Sequence, residues 1–181
     1  MNGPAPLDIR LLPAEAATDA ALMRQVAELI NMVYAAAERG QWLPGATRTS
    51  AAEITDLTRA GEIVVARLGD DVVGAIRVRH FDASTGETGM LAVDPAHREL
   101  GIGSQLRHFV TDLLRERGLT TLRIELLVPR DWHQPSKRFM AEWNERSGYE
   151  VVRQGAFENE YPNLAPLLAT PCDFVIYHKA L

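Results

Sequence analysis

The chain has 181 residues, 46% of them hydrophobic and 24% charged, with a formal net charge of −5 at pH 7. That is the size and balance of one soluble domain, 1–181, able to bury roughly 70% of its unfolded surface. No apolar run approaches the roughly 20 residues of a membrane helix, and no block of Lys or Arg marks a nucleic-acid binder.

Met1 to Pro6 lacks the basic and apolar regions of a secretory signal, and Cys172, the only cysteine, can form no internal disulfide. Both point to a cytoplasmic protein. The histidines at 80, 97, 108, 133 and 178 show no ligand spacing with Cys or acidic neighbours, so no metal is expected.

Ile9 to Leu12 reads as an opening strand. Asp19 can cap a helix running to about Glu38, with Leu22, Val26, Leu29, Ile30 and Val33 on its apolar side. The Gly and Pro of Gly40 to Gly45 break it, and Ser50-Ala51-Ala52-Glu53 has the capping-box pattern of a second helix ending near Gly61. Strands follow over Glu62 to Leu68 and Val72 to His80, joined by the hairpin-type turn Gly69-Asp70-Asp71. After a strand from Glu87 to Val93 comes a helix to about Arg117, then a strand from Leu122 to Val128. A helix from about Ser136 to Ser147 ends at Gly148, the residue suited to a left-handed C-cap. Strands near Tyr149 to Arg153 and Asp173 to Lys179 close the chain.

The chemistry concentrates at Leu91-Ala92-Val93-Asp94-Pro95 and the following Arg98-Glu99-Leu100-Gly101-Ile102-Gly103-Ser104. A strand ends, a glycine-bearing loop opens directly into a helix, and that helix has an apolar face of Leu106, Phe109, Val110, Leu113 and Leu114. Helix starts carry unpartnered N–H groups and a partial positive charge. Glycines at 101 and 103 let a ligand approach those amides, and Arg98 adds a fixed charge, so the loop reads as a pyrophosphate cradle. It is not a triphosphate loop, because Gly103 is followed by Ser104-Gln105 and not by Lys and Ser or Thr. Nor is it a dinucleotide fingerprint, because Leu106 stands where the third glycine belongs.

R-x-x-G-x-G after a strand ending L-A-V resembles the signature of the GNAT (N-acetyltransferase) superfamily. The resemblance implies an α/β, GNAT-like fold: a mixed sheet of seven strands with helices on both faces, in the β-α-α-β-β-β-α-β-α-β-β order read above. It implies acetyl-CoA as acyl donor, with Leu91, Ala92 and Val93 facing the pantetheine and the amides of Glu99, Leu100, Gly101, Ile102, Gly103 and Ser104 on the pyrophosphate. It implies a fourth and fifth strand splayed apart around the pantetheine. It also implies an amine-bearing small molecule or a protein terminus as acceptor, without nucleic acid or membrane as partner. A homodimer, common in the family, is compatible with the chain.

Neutralising a lysine-like amine at pH 7 costs about 4.6 kcal/mol, which calls for a carboxylate near the acetyl group. Glu87, four residues before Leu91, is the candidate, and alternation puts it on the face of Gly89 and Leu91. Where many relatives have a tyrosine as acid, the run Trp143-Asn144-Glu145-Arg146-Ser147-Gly148-Tyr149 has Asn144, an amide that donates a hydrogen bond but not a proton. Tyr149 and Tyr161 are the substitutes. The acceptor site is expected from Trp42, Trp132, Glu158 and Tyr161, with the acidic loop at Glu158 and Glu160 attracting a cation and the tryptophans walling a pocket. Phe139, Met140 and Trp143 are expected in the core, and Cys172 packed. The missing tyrosine also admits a catalytically weak acyl-CoA-binding or sensing module.

Overall fold

The computed structural model describes residues 6–181. Seven strands form one mixed sheet in the order β1-β2-β3-β4-β5-β7-β6. They are β1 (Leu7–Leu11), β2 (Ile63–Leu68), β3 (Asp71–His80), β4 (Thr85–Val93), β5 (Thr121–Pro129), β6 (Glu150–Ala156) and β7 (Cys172–Ala180). All neighbours pair antiparallel except β4 and β5.

Helices α1 (Ala20–Ala37) and α2 (Ala51–Arg59) cover one face of the sheet. Helices α3 (Ile102–Glu116) and α4 (Pro135–Arg146) cover the other. Met23, Val26, Ile30 and Ile54 pack on Ile63, Val65, Ala75, Met90 and Ala92 on the first face. Ile102, Leu106, Val110 and Leu114 pack on Val64, Ile76, Val78 and Leu122 on the second. Helix α3 lies close because two strand glycines admit it. A Cβ at Gly74 would come within 2.8 Å of Ile102 Cγ2, and one at Gly86 within 2.6 Å of Leu114 Cδ1.

The helix starts follow the local sequence. Asp19 accepts from the amides of Ala21 and Leu22, and Ser50 Oγ from the Glu53 amide. The capping box of α2 is only half made, because the Glu53 carboxylate takes the Thr49 hydroxyl at 2.8 Å. Gly148, at φ +82, sits in the left-handed region beyond α4.

Two expectations need correction. Phe139 is 57% exposed, because α4 turns it away from the sheet while Met140 and Ala141 pack against the core. And Glu87 does not share a face with Leu91. Arg77 stands opposite Gly89 and Ala75 opposite Ala92, so Ile76 faces both Met90 and Leu91. This is a β-bulge, with Met90 at φ +52, a value that non-glycine residues seldom take. The extra residue reverses the alternation. Gly86 faces α3, so Glu87 points to the α1 face, whereas Leu91 and Val93 pack with α3.

The same bulge marks where the sheet splits. β4 and β5 pair in parallel only from Thr85–Thr88 against Thr121–Ile124. Beyond that rung β5 continues to pair with β7 as far as Pro129, and β4 continues with β3 to Val93. A gap opens between residues 89–93 and 125–129.

Candidate active site

The gap ends at the loop that the sequence marks. Asp94 accepts from the Ala96 amide at 2.9 Å and shapes a 3-10 turn over Pro95–Leu100, one more turn than the direct strand-to-helix loop expected. Gly101, at φ +63, then starts α3, whose N-terminus has no side-chain cap. Arg98, Glu99 and Leu100 are exposed beside it. A Cβ on Gly103 would stand 3.3 Å from the Trp143 ring and 3.6 Å from Val93 Cγ2, so the backbone there is open only to glycine's profile.

Behind this loop lies a side chain that sequence reasoning missed. Arg107 is buried, 8% exposed, with its guanidinium 3.6 Å from the Trp143 ring centroid. Its Nη2 donates to Asn144 Oδ1 at 2.7 Å, while Arg107 Nη1 and Asn144 Nδ2 are buried donors without a protein acceptor. Burial pushes the guanidinium down to about 10. Arg107 interrupts the apolar stripe of α3 between Gly103 and Val110, and that charged residue on a buried face was the available signal. Tyr149, 5% exposed, packs between Arg107 and Lys179, and burial raises its hydroxyl.

On the α1 face, Glu87 is clamped. Arg79 donates to its Oε1 at 2.8 Å through Nε, and Arg123 reaches its Oε2. Arg123, itself buried, also donates to Glu125 at 2.9 Å, and Glu125 accepts the Tyr161 hydroxyl at 2.8 Å. Burial, then the bond to Glu125, pushes Tyr161 up to about 12. Tyr161 stacks on Phe157, which meets Trp42 edge-on at 6.0 Å. A short helix, α5 (Phe157–Glu160), not expected from the sequence, carries this aromatic step. Glu87, Tyr161 and Trp42 therefore belong to one continuous wall.

Trp132 and Glu158 lie elsewhere. Trp132 donates to Thr170 Oγ1 at 3.3 Å and covers Gly40, and Glu158 pairs with Arg130. Glu160 pairs with Arg153 at 2.6 Å. Arginines thus already neutralise the loop expected to attract a cation.

The end of α1 reaches the start of α4 from the opposite face of the sheet. Gln134 Nε2 and Ser136 Oγ both donate to the Ala37 carbonyl, which has no acceptor role left inside α1. Lys137 Nζ pairs with Glu38 Oε1 at 2.5 Å, both 8% exposed, and Trp42 Nε1 donates to Glu38 Oε2 at 2.6 Å. Cys172 is buried nearby, and burial pushes its thiol up to about 11. Tyr34, one turn before Glu38, packs against Met90, whose N–H faces the phenol oxygen, and burial raises that hydroxyl. Arg48 lies over the Tyr34 ring, 5.4 Å from its centroid.

Residues 26–144, which span the split in the sheet and the uncapped, glycine-bearing start of α3, match the sequence profile of the acetyltransferase (GNAT) family. The chain belongs to the GNAT acetyltransferase family.

GNAT proteins of known structure share the whole fold. YncA of Salmonella typhimurium, solved with its cofactor acetyl-CoA, is 16% identical with a TM-score of 0.66, covering 98% of this chain and 95% of its own. Ard1 of Thermoplasma volcanium is 18% identical with a TM-score of 0.61, covering 97% of each chain. N-acetylglutamate synthase of Neisseria gonorrhoeae, complexed with coenzyme A and N-acetyl-glutamate, is 19% identical with a TM-score of 0.64. That match covers 99% of this chain and 36% of the synthase, so the chain spans about a third of that enzyme's length. No curated protein matches the chain in sequence.

Among the described residues no helix is long and apolar enough to cross a membrane.

Proposed function

We propose that this chain is an acetyl-CoA-dependent N-acetyltransferase in which an amine attacks the donor directly, both being bound at once. The observation that carries the reading is the β4–β5 gap, opened by the Met90 bulge and closed at one end by the uncapped start of α3.

The residues fit the donor. The amides of residues 99–104 with Arg98 would hold its pyrophosphate, and glycine at 103 keeps that approach clear of the Trp143 ring. The unpaired edge over Leu91, Ala92 and Val93 would take its pantetheine amides. Arg107 Nη1 and Asn144 Nδ2, buried without acceptors, are the donors such a ligand would satisfy. Bound acetyl-CoA supplies an activated thioester.

The chain's own groups then act from two faces. A backbone N–H of the β4 edge polarises the carbonyl. Glu87 acts on the α1 face. Protonating it would break an ion pair to Arg79 or Arg123, so it would serve as a fixed negative charge for a nitrogen that turns cationic as it attacks. As the C–N bond forms the C–S bond breaks, coenzyme A leaves as the thiolate, and the nitrogen gives its proton to solvent water. Asn144 turns its oxygen to Arg107 and Tyr149 is packed in the core, so neither is assigned a proton-donating role; both hold Arg107 in place. Tyr161 and Trp42 wall the acceptor side, with Trp132 and Glu158 beside the neighbouring cleft at Thr170.

The test is thiol release from acetyl-CoA over a panel of amines, with Gly103→Val as the blocked control. Release that depends on the amine and falls in the variant supports the reading. The absence of any hydroxyl in the α4 position of Asn144 favours one other reading, an acyl-CoA-binding module. Tight acetyl-CoA binding by calorimetry with no release for any amine would select it.

A further inference from the structure

One arginine beside the wall around Glu87 has no carboxylate partner. Each carboxylate in the wall already has a partner: Glu38 has Lys137 and Trp42, Glu87 has Arg79 and Arg123, and Glu125 has Arg123 and Tyr161. Arg48 has none. No carboxylate among the described residues stands at ion-pair distance from it, and it lies against Tyr34, over the ring and near the hydroxyl. The Arg48 segment is nevertheless fixed. The neighbouring Thr49 exchanges two hydrogen bonds with the Asn31 side chain, at 2.9 and 3.0 Å, and gives its hydroxyl to Glu53. This exposed guanidinium is therefore held above Tyr34, which packs on Met90 at the bulge.

We infer that the acceptor is a zwitterion, an amino acid or close analogue, whose carboxylate pairs with Arg48 while its amine lies toward Glu87 and the Met90 bulge. The charges decide the class. Arg79 and Arg123 already face Glu87 and Glu125 while Arg48 faces no carboxylate, so a single carboxylate on the acceptor would give it the partner it lacks. A polyamine or another polycation would set like charges against Arg48. A planar guanidinium also binds a carboxylate through two parallel hydrogen bonds, which fixes the direction in which the amine points.

The inference rests on the transferase reading, and two readouts separate them. The first is acetyl transfer from acetyl-CoA to the common L-amino acids, each compared with its carboxamide and with spermidine. The second is calorimetry of the N-acetylated amino acids and their N-acetyl amides on the protein without coenzyme A. Free acids should be preferred over amides by about 10- to 100-fold in both. Arg48→Gln should raise KM for the acid by that factor with kcat little changed, leave the amide unaffected, and be partly rescued by Arg48→Lys.

Equal use or binding of acid and amide, faster transfer to spermidine, or an Arg48→Gln variant with unchanged preference would overturn the inference while leaving the transferase reading intact. No transfer to any amine, with Arg48-dependent binding of the N-acetyl acids, would support the carboxylate site and count against the transferase reading.

Discussion

Arg107 on α3 donates to Asn144 on α4 at 2.7 Å, and this is the only side-chain hydrogen bond that the buried guanidinium makes among the described residues. A charge so placed costs folding free energy that one neutral acceptor does not recover. Burial makes the folded chain bind this proton less tightly than the unfolded chain. The cost is therefore present in full below about pH 10, and relieved only as the pH rises beyond that value. Replacing Arg107 by Met should raise stability at neutral pH by about 1–3 kcal/mol in urea unfolding. The same variant should bind coenzyme A more weakly, because a buried donor without a protein acceptor is gone. Opposite signs in the two measurements are expected; a loss of stability would mean that the cation supports the fold itself.

The Lys137–Glu38 pair behaves differently, because both charges are buried and matched. Lys137→Met should cost about 3–5 kcal/mol by stranding Glu38, and the double variant with Glu38→Met should recover much of it. Urea unfolding of the four proteins in this cycle gives the coupling. Additive losses would place the pair outside the buried contact between α1 and α4.

Much of this organisation was legible in the sequence. Asp19, Ser50 and Gly148 mark helix ends by side-chain and backbone chemistry that acts within a few residues, and they act there as expected. The seven strands and the glycine-bearing turn into α3 were readable for the same reason. The Met90 bulge was not, because nothing in Gly89-Met90-Leu91 announces a left-handed methionine, and that one residue reversed the face assigned to Glu87. The clamp on Glu87 joins β3, β4 and β5 from Arg79 and Arg123, a pairing that only strand register determines. Tyr34 continues the stripe of Ile30 at helical spacing, so it reads as packing until the bulge places Met90 against it.

For Glu87, the two arginines make a distinctive prediction. Glu87→Gln should lower kcat/KM by about 10- to 100-fold, by the same factor at every pH from 6 to 9, since a fixed charge is lost and not a titrating base. The pH–rate profiles of wild type and variant should run parallel. A variant whose profile loses its acidic limb would restore Glu87 to the role of general base.

On the proposed reading, the acyl donor lies along the unpaired edge of β4. The Asp94 backbone N–H donates to the Val73 carbonyl of β3, so alternation turns the amides of Leu91 and Val93 toward the gap. Amide hydrogen exchange with and without coenzyme A measures this directly. Leu91 and Val93 should exchange readily in the free protein and become protected by 10-fold or more when coenzyme A is added, together with Gly103 and Ser104. Binding that protects α3 or other surfaces but leaves Leu91 and Val93 unchanged would place the donor away from the β4 edge.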